Sequence, residues 1–271
     1  MEYSIVDLEQ RDLPALDSIK PDTWSSVEEI HAHYLTTPSA RCVKAVSDSG
    51  ELLGIGTALV FGATGWLAHI IVSGAHQKRG LGTAIVQNRI RAIRETPGCA
   101  SVTLTATDQG YPLYQKLGFK DQSLYRIMVR PQDAPLPRAD DSHIRACGAD
   151  HVEQVLAIDR EVSGEDRKEF LLPILHTARV YERGGRVFGF YLPDFGDGGV
   201  YATTEQAGCA LLTERVREDK PVFIPEENED AYRYLASLGY TEVKRIHRMI
   251  LGPEFRRNPL HCYARIGGFA G

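Results

Sequence analysis

Val72-Ser-Gly-Ala-His-Gln-Lys-Arg-Gly-Leu-Gly-Thr83 lies between an apolar run and an amphipathic one, and its reading decides the fold. Upstream, Trp66 to Val72 is mostly apolar and includes the β-branched Ile70, Ile71 and Val72, the pattern of a buried strand. Downstream, Gly82 to Glu95 places Val86, Ile90 and Ile93 at i, i+4 and i+7, which predicts a helix with one apolar face. Pro97-Gly98 stops it. Arg89, Arg91 and Arg94 fall elsewhere on that helix and read as a solvated face. Between strand and helix, Gly80 and Gly82 permit close backbone approach, and the first helical N–H groups have no intrahelical partners. Free amides and the helix dipole both favour negative charge, and Lys78 and Arg79 add positive charge. The segment reads as a site for a phosphorylated ligand.

Two common phosphate loops are excluded. No Gly-x4-Gly-Lys-Ser/Thr run exists in the chain. Gly80-Leu-Gly82 is followed by Ile85 where a dinucleotide fingerprint needs its third glycine or alanine. Gln77-Lys-Arg-Gly80-Leu-Gly82 instead resembles the Q/R-x-x-G-x-G/A pyrophosphate loop of the GCN5-related N-acetyltransferase (GNAT) superfamily. Leu113-Tyr-Gln-Lys-Leu-Gly-Phe119 resembles that family's L-Y-x-K-L-G-F motif, and it follows another short strand, Ser101 to Thr105, as the family order requires.

The resemblance implies an acetyl-CoA site and assigns roles. Gln77, Lys78, Arg79, Gly80, Leu81, Gly82 and Thr83 match the pyrophosphate loop. Ile71 and Val72 match the strand edge that pairs with pantetheine amides, and Tyr114 matches the tyrosine that protonates the departing thiolate. The family's frequent Asn is Thr107 here, with Asp108 and Gln109 beside it as substitutes. Read from the residues alone, Tyr114 is either that acid or an amphipathic core residue. An amine attacks a thioester only when neutral, so a base or water chain must take its proton. His69, on the strand leading to the loop, is a candidate base and equally a core histidine. His76 is expected to flank phosphates or face solvent, and Glu51 and Asp108 are further candidates through water. With no zinc-ligand spacing and no nucleophile elbow, direct transfer without metal or covalent intermediate is expected.

Composition fits a cytoplasmic enzyme. A chain of 271 residues exceeds one typical domain, and 43% hydrophobic residues are ample for ordinary cores. A net charge of −5 argues against nucleic acid, and no apolar run is long enough to span a bilayer. Five scattered cysteines without a C-x-x-C pair fit reduced thiols, and the N-terminus has no secretory h-region. Monomer and homodimer both remain open.

The chain order is helical patterns over Asp12 to His33, two strands at Arg41 to Val46 and Glu51 to Val60, then the strand, loop and helix above. A strand at Ser101, a helix holding Tyr114 and a strand at Leu124 to Val129 complete an α/β domain on a mixed sheet. Prolines across Arg130 to Asp141 mark a linker, which divides the chain into 1–132, a linker 133–141 and 142–271. The second half repeats the first. Leu124 to Pro131 parallels Arg245 to Gly252, Tyr114 to Phe119 parallels Leu235 to Tyr240, and Val43 to Gly56 resembles Val180 to Phe190. This resembles tandem GNAT proteins of the YitH type. Around Gly199 to Ala210 there is no Q-x-x-G-x-G, and Leu235 stands where Tyr114 stands, so the second copy is expected to be degenerate and to complete the substrate pocket. Trp24, Tyr34, Tyr191 and the stretch Tyr263 to Phe269 line that pocket or are ordinary core. The expected acceptor is a small primary amine, and the alternative function is a CoA-binding regulatory module without catalysis.

Overall fold

The computed structural model describes residues 2–22, 24, 26–131, 136–137, 142–193 and 195–271. Of the expected linker 133–141, all but Leu136 and Pro137 lies outside the described residues. The chain forms two compact units, Met1–Leu104 with Leu251–Pro253, and Thr105–Ile250 with Glu254–Gly271.

In the first unit, β1 (Tyr3–Asp7) leads through a 3-10 segment, Gln10–Ser18, to α1 (Glu28–Thr36). Strands β2 (Ala40–Ser47), β3 (Leu52–Phe61) and β4 (Thr64–Val72) follow, then α2 (Leu81–Arg94) and β5 (Ser101–Ala106). The strand order is β1-β2-β3-β4-β5, antiparallel except for the parallel β4–β5 pair. The predicted strands and α2 fall within a few residues of the observed ones; β1 was not expected. It is an edge strand with four of five residues exposed, so no alternation marks it.

Helix α2 buries Leu81, Ile85, Val86, Ile90 and Ile93 against the sheet. Its approach is close because β3 carries Gly56: a Cβ there would meet Ile85 Cγ2 at 2.4 Å. Arg89 corrects the solvated-face expectation. It is 7% exposed, four residues beyond Ile85 on the same face, and its Nη1 donates to the Arg41 carbonyl at 2.9 Å. Arg91 and Arg94 are exposed.

The second unit begins with α3 (Tyr111–Lys116) and β6 (Lys120–Val129). It continues with β7 (Ile144–Ala146), α4 (Val152–Ser163), α5 (Lys168–Leu171), β8 (Arg179–Arg183), β9 (Arg186–Tyr191) and β10 (Val200–Ala202). The last elements are α6 (Glu205–Arg215), β11 (Val222–Pro225), α7 (Glu229–Ser237), β12 (Thr241–Leu251) and β13 (Cys262–Ala264). Strand β6 lies between β12 and β11, and β13-β10-β9-β8-β7 form another sheet. The repeated segments of the sequence therefore pair with each other, Tyr125 opposite Ile246. The repeat is also visible in the helix ends: Phe119 N–H donates to Tyr114 O at 3.0 Å, and Tyr240 N–H to Leu235 O at 3.0 Å. Leu211, Leu212, Val216, Val222, Ile224 and Leu235 form the core beneath α6 and α7.

Candidate active site

The parallel ladder of β4 and β5 is short. It pairs Thr64 with Ser101, Gly65 with Val102 and Trp66 with Thr103, while β4 itself runs on to Val72. The two strands part after Trp66, and the β4 edge through Ile71 and Val72 is left outside that ladder. On its other side β4 carries a bulge. Ile55 pairs with Ile71 but Thr57 with Ala68, so one extra residue is accommodated on β4, and His69 within it has φ +46°. A histidine in the left-handed region is held there by its surroundings.

Beyond Val72 a 3-10 turn, Gly74–His76, redirects the chain. Ser73 Oγ and His76 Nδ1 are hydrogen-bonded at 2.8 Å and His76 is 8% exposed, so His76 staples the turn and does not face solvent. Gln77 Nε2 donates to the Val72 carbonyl at 3.1 Å, which closes the loop on the strand end. Lys78 has φ +60° and Gly80 φ +84°, and α2 starts at Leu81. Gly80 takes the N-cap position without a side-chain cap, so the first amides of a 14-residue helix are left to an external acceptor. The space around the loop is open, since a Cβ on Gly80 or Gly74 would meet nothing within 4 Å. Lys78 and Arg79 are exposed beside it. These residues fit a diphosphate.

The equivalent helix in the second half, α6, is built differently. Its N-cap Thr204 accepts a hydrogen bond from Ala207 N–H, so part of the amide set is satisfied internally. The edge of β10 is paired with β13, Val200 with Ala264 and Tyr201 with Cys262. Arg265 N–H, next in chain, donates to Phe223 O of β11 at 2.9 Å.

His69 is half-buried among aromatic rings. Tyr34 hydroxyl lies 3.2 Å from its Nδ1, and the rings of Tyr34, His31 and Trp24 stand 5.6, 5.1 and 6.0 Å from the imidazole. Burial, with a smaller contribution from neighbouring His31, pushes its pKa down to about 3, so the ring is neutral near pH 7. His31 is fully buried; its Nδ1 lies 2.6 Å from the Val27 carbonyl, and burial lowers its pKa too.

Tyr114 lies on α3 in the second unit. It is 9% exposed, packs edge-on against Phe119 at 5.8 Å, and its hydroxyl has no hydrogen-bond partner among the described residues. Burial raises its pKa to about 12, which keeps it a donor. Thr107 Oγ1 accepts from Gly110 N–H at 3.2 Å, so it shapes the entry to α3. Asp108 is ion-paired with Lys244 at 2.5 Å.

The structure brings His69, Ile71, Val72 and the loop from Gln77 to Thr83 together in the first unit, and places Tyr114 in the second. Tyr191 and Tyr263 are core. Tyr191 hydrogen-bonds Glu218, and Tyr263 packs on α6 so closely that a Cβ on Gly208 would meet its ring at 2.2 Å. Sequence reasoning missed His31 and the Tyr34–His69 contact. The available signal was the i, i+3 spacing of His31 and Tyr34, which puts both on one helix face. Among the described residues no group of three His, Cys, Asp or Glu converges as a metal site.

Comparison with known proteins bears on the family and the fold. Residues 3–119 match the acetyltransferase (GNAT) family, and residues 155–264 match the acetyltransferase (GNAT) domain. This chain is a tandem GNAT acetyltransferase. The uncharacterized N-acetyltransferase YitH of Bacillus subtilis (strain 168) is 22% identical over 205 residues, 71% of either chain. A Pyrococcus horikoshii protein classed as an acetyltransferase superposes with a TM-score of 0.83 at 21% identity, over 99% of this chain and 96% of that one. A tandem GNAT protein from the clavulanic acid biosynthesis pathway gives a TM-score of 0.59 at 14% identity, over 93% and 100% of the two chains. At these identities the solved structures speak for the fold.

Proposed function

We propose that this GNAT protein transfers the acetyl group of acetyl-CoA to the primary amine of a small molecule by direct attack. The observation that carries the reading is the start of α2: an uncapped helix N-terminus behind Lys78, Arg79 and Gly80, at the end of a strand that has parted from its parallel neighbour. Acetyl-CoA, when bound, supplies the acyl group as an activated thioester. The amides at Gly80, Leu81, Gly82 and Thr83, with Gln77, Lys78 and Arg79, hold the diphosphate. Ile71 and Val72 offer the strand edge to the pantetheine arm, although the Val72 carbonyl already accepts from Gln77. Overall the amine gives up one proton and the sulfur gains one; Tyr114, protonated up to about pH 12, delivers the latter. His69 is the second catalytic group. The same reading gives the transfer chemistry to 1–132 and a degenerate, supporting role to 142–271, in a cytoplasmic monomer or homodimer. No helix among the described residues is long and apolar enough to cross a membrane.

A thiol-release assay with acetyl-CoA and a panel of amino acids, polyamines and aminosugars tests it. Release that depends on one amine and is lost in Gly80→Asp is the expected result. Saturable acetyl-CoA binding with no release for any amine would favour a CoA-binding regulatory module.

A further inference from the structure

Helix α3, which carries Tyr114, has six residues with Pro112 in its first turn, too few to hold their shape without packing. Side chains of β6 and β12 anchor it. The Tyr111 hydroxyl donates to Asp121 Oδ2 at 2.7 Å and accepts from Gln115 Nε2 at 3.0 Å, one turn further along the helix. His247 Nδ1 lies 2.9 Å from Asp121 Oδ1, and its ring stands 4.2 Å from the ring of Tyr111. A carboxylate only accepts, so the phenol and the imidazole N–H each donate to one oxygen of Asp121. The hydrogen bond to Asp121 also raises the Tyr111 pKa, which keeps the phenol protonated. A bulge makes this meeting possible. His247 pairs with Leu124 and Arg248 with Ser123, but Met249 pairs with Asp121, so Gln122 is an extra residue on β6. Strict alternation would set Asp121 on the face opposite Leu124; the extra residue returns it to the face of His247.

Tyr114 is coupled to this cluster through the backbone. Gly110 immediately precedes Tyr111, and a Cβ on it would stand 2.9 Å from Tyr114 Cε2, so the Tyr114 ring lies against the Gly110 main chain. A shift of Tyr111 moves Gly110, and with it the surface on which that ring rests. We propose that Asp121 and His247 are positioning residues for the thiolate acid: they fix Tyr111, and through it the place of Tyr114. This rests on the acetyl-transfer reading above. It gives the second half of the sequence a definite part in that chemistry, because His247 comes from β12 while α3 and β6 belong to the first half. Lys244, also of β12, adds an exposed ion pair to Asp108 ahead of α3, a contact of small weight.

The test uses the full chain carrying 13C-labelled tyrosine rings, with the Tyr114 resonance assigned by its loss in Tyr114→Phe. That resonance is expected to move in Asp121→Ala and in His247→Ala, neither of which alters a neighbour of the Tyr114 ring. It should stay close to wild type in Asp121→Asn, which keeps an acceptor for Tyr111. Thiol release by the two alanine variants should fall about tenfold in kcat, with the KM for acetyl-CoA held within about twofold. In a Tyr114→Phe background the same substitutions should lower kcat by less than about twofold, because the group they position is gone. An unmoved Tyr114 resonance in either alanine variant overturns the proposal, as does full turnover in variants whose resonance has moved. An equal loss of kcat with and without the Tyr114 hydroxyl also overturns it, since a general loss of fold has that result. A wild type that binds acetyl-CoA and releases no thiol, while Asp121→Ala still moves the Tyr114 resonance, would sink acetyl transfer and leave the brace standing.

Discussion

Tyr114 and His69 are both titratable groups moved by burial, in directions that hold each in its neutral form. For Tyr114 the raised pKa means that kcat shows no ionisation of this residue below about pH 12. Tyr114→Phe should lower kcat about 100-fold with little change in the KM for acetyl-CoA. An unchanged kcat would remove Tyr114 from the chemistry. Gly110 offers a subtler probe, since a Cβ there would stand 2.9 Å from Tyr114 Cε2 and push the ring from its place. For His69 the consequence is one of stability. The unfolded imidazole titrates near 6.5 and the folded one near 3, so below 6.5 the unfolded state binds the extra proton. Stability contributed by this group is present above 6.5 and lost as pH falls toward 3. At pH 5 the loss amounts to at most about 2 kcal/mol. Urea unfolding of the wild type at pH 7 and 5, compared with His69→Asn, should show a smaller pH dependence in the variant; equal slopes would mean that the folded His69 titrates normally.

At the level of elements, packing and capping separate what the sequence reveals from what it hides. Gly56 exists for the approach of α2, so Gly56→Ala should cost about 1–3 kcal/mol in urea unfolding by overpacking Ile85; a neutral result would show that Ile85 yields freely. The helix itself was legible. Its apolar stripe and Pro97-Gly98 predict 82–95, and it spans Leu81–Arg94. Strand β4 was legible for the same reason, an apolar run bounded by turn residues. Its bulge was not, because Ala68-His-Ile-Ile-Val72 reads as uninterrupted strand and the extra residue shows only in the register with β3. The motif residues of the loop could be named from their order, and the cluster around His69 could not, since α1 and β4 meet only in three dimensions. Arg89 misled because charge outranked its place on the buried face. Strand β13 has three residues and no alternation long enough to read.

Across the whole chain, one fold has been used twice with opposite treatment of the same two features. In the first half the helix after the parting strand begins at an uncapped glycine and the strand edge is left outside the parallel ladder; in the second, Thr204 caps α6 and β13 pairs with the edge of β10. A diphosphate and a pantetheine arm need both features at once, so the chain should bind one acetyl-CoA, not two. Isothermal titration is expected to give one site per chain, abolished by Gly80→Asp. Thr204→Ala should cost about 1 kcal/mol of stability through the lost cap and create no second site, because β13 still covers the strand. A second binding event in Thr204→Ala would show that the cap alone excludes the ligand. Two sites in the wild type would mean that the paired edge of β10 opens in solution, and that the second half is an active copy.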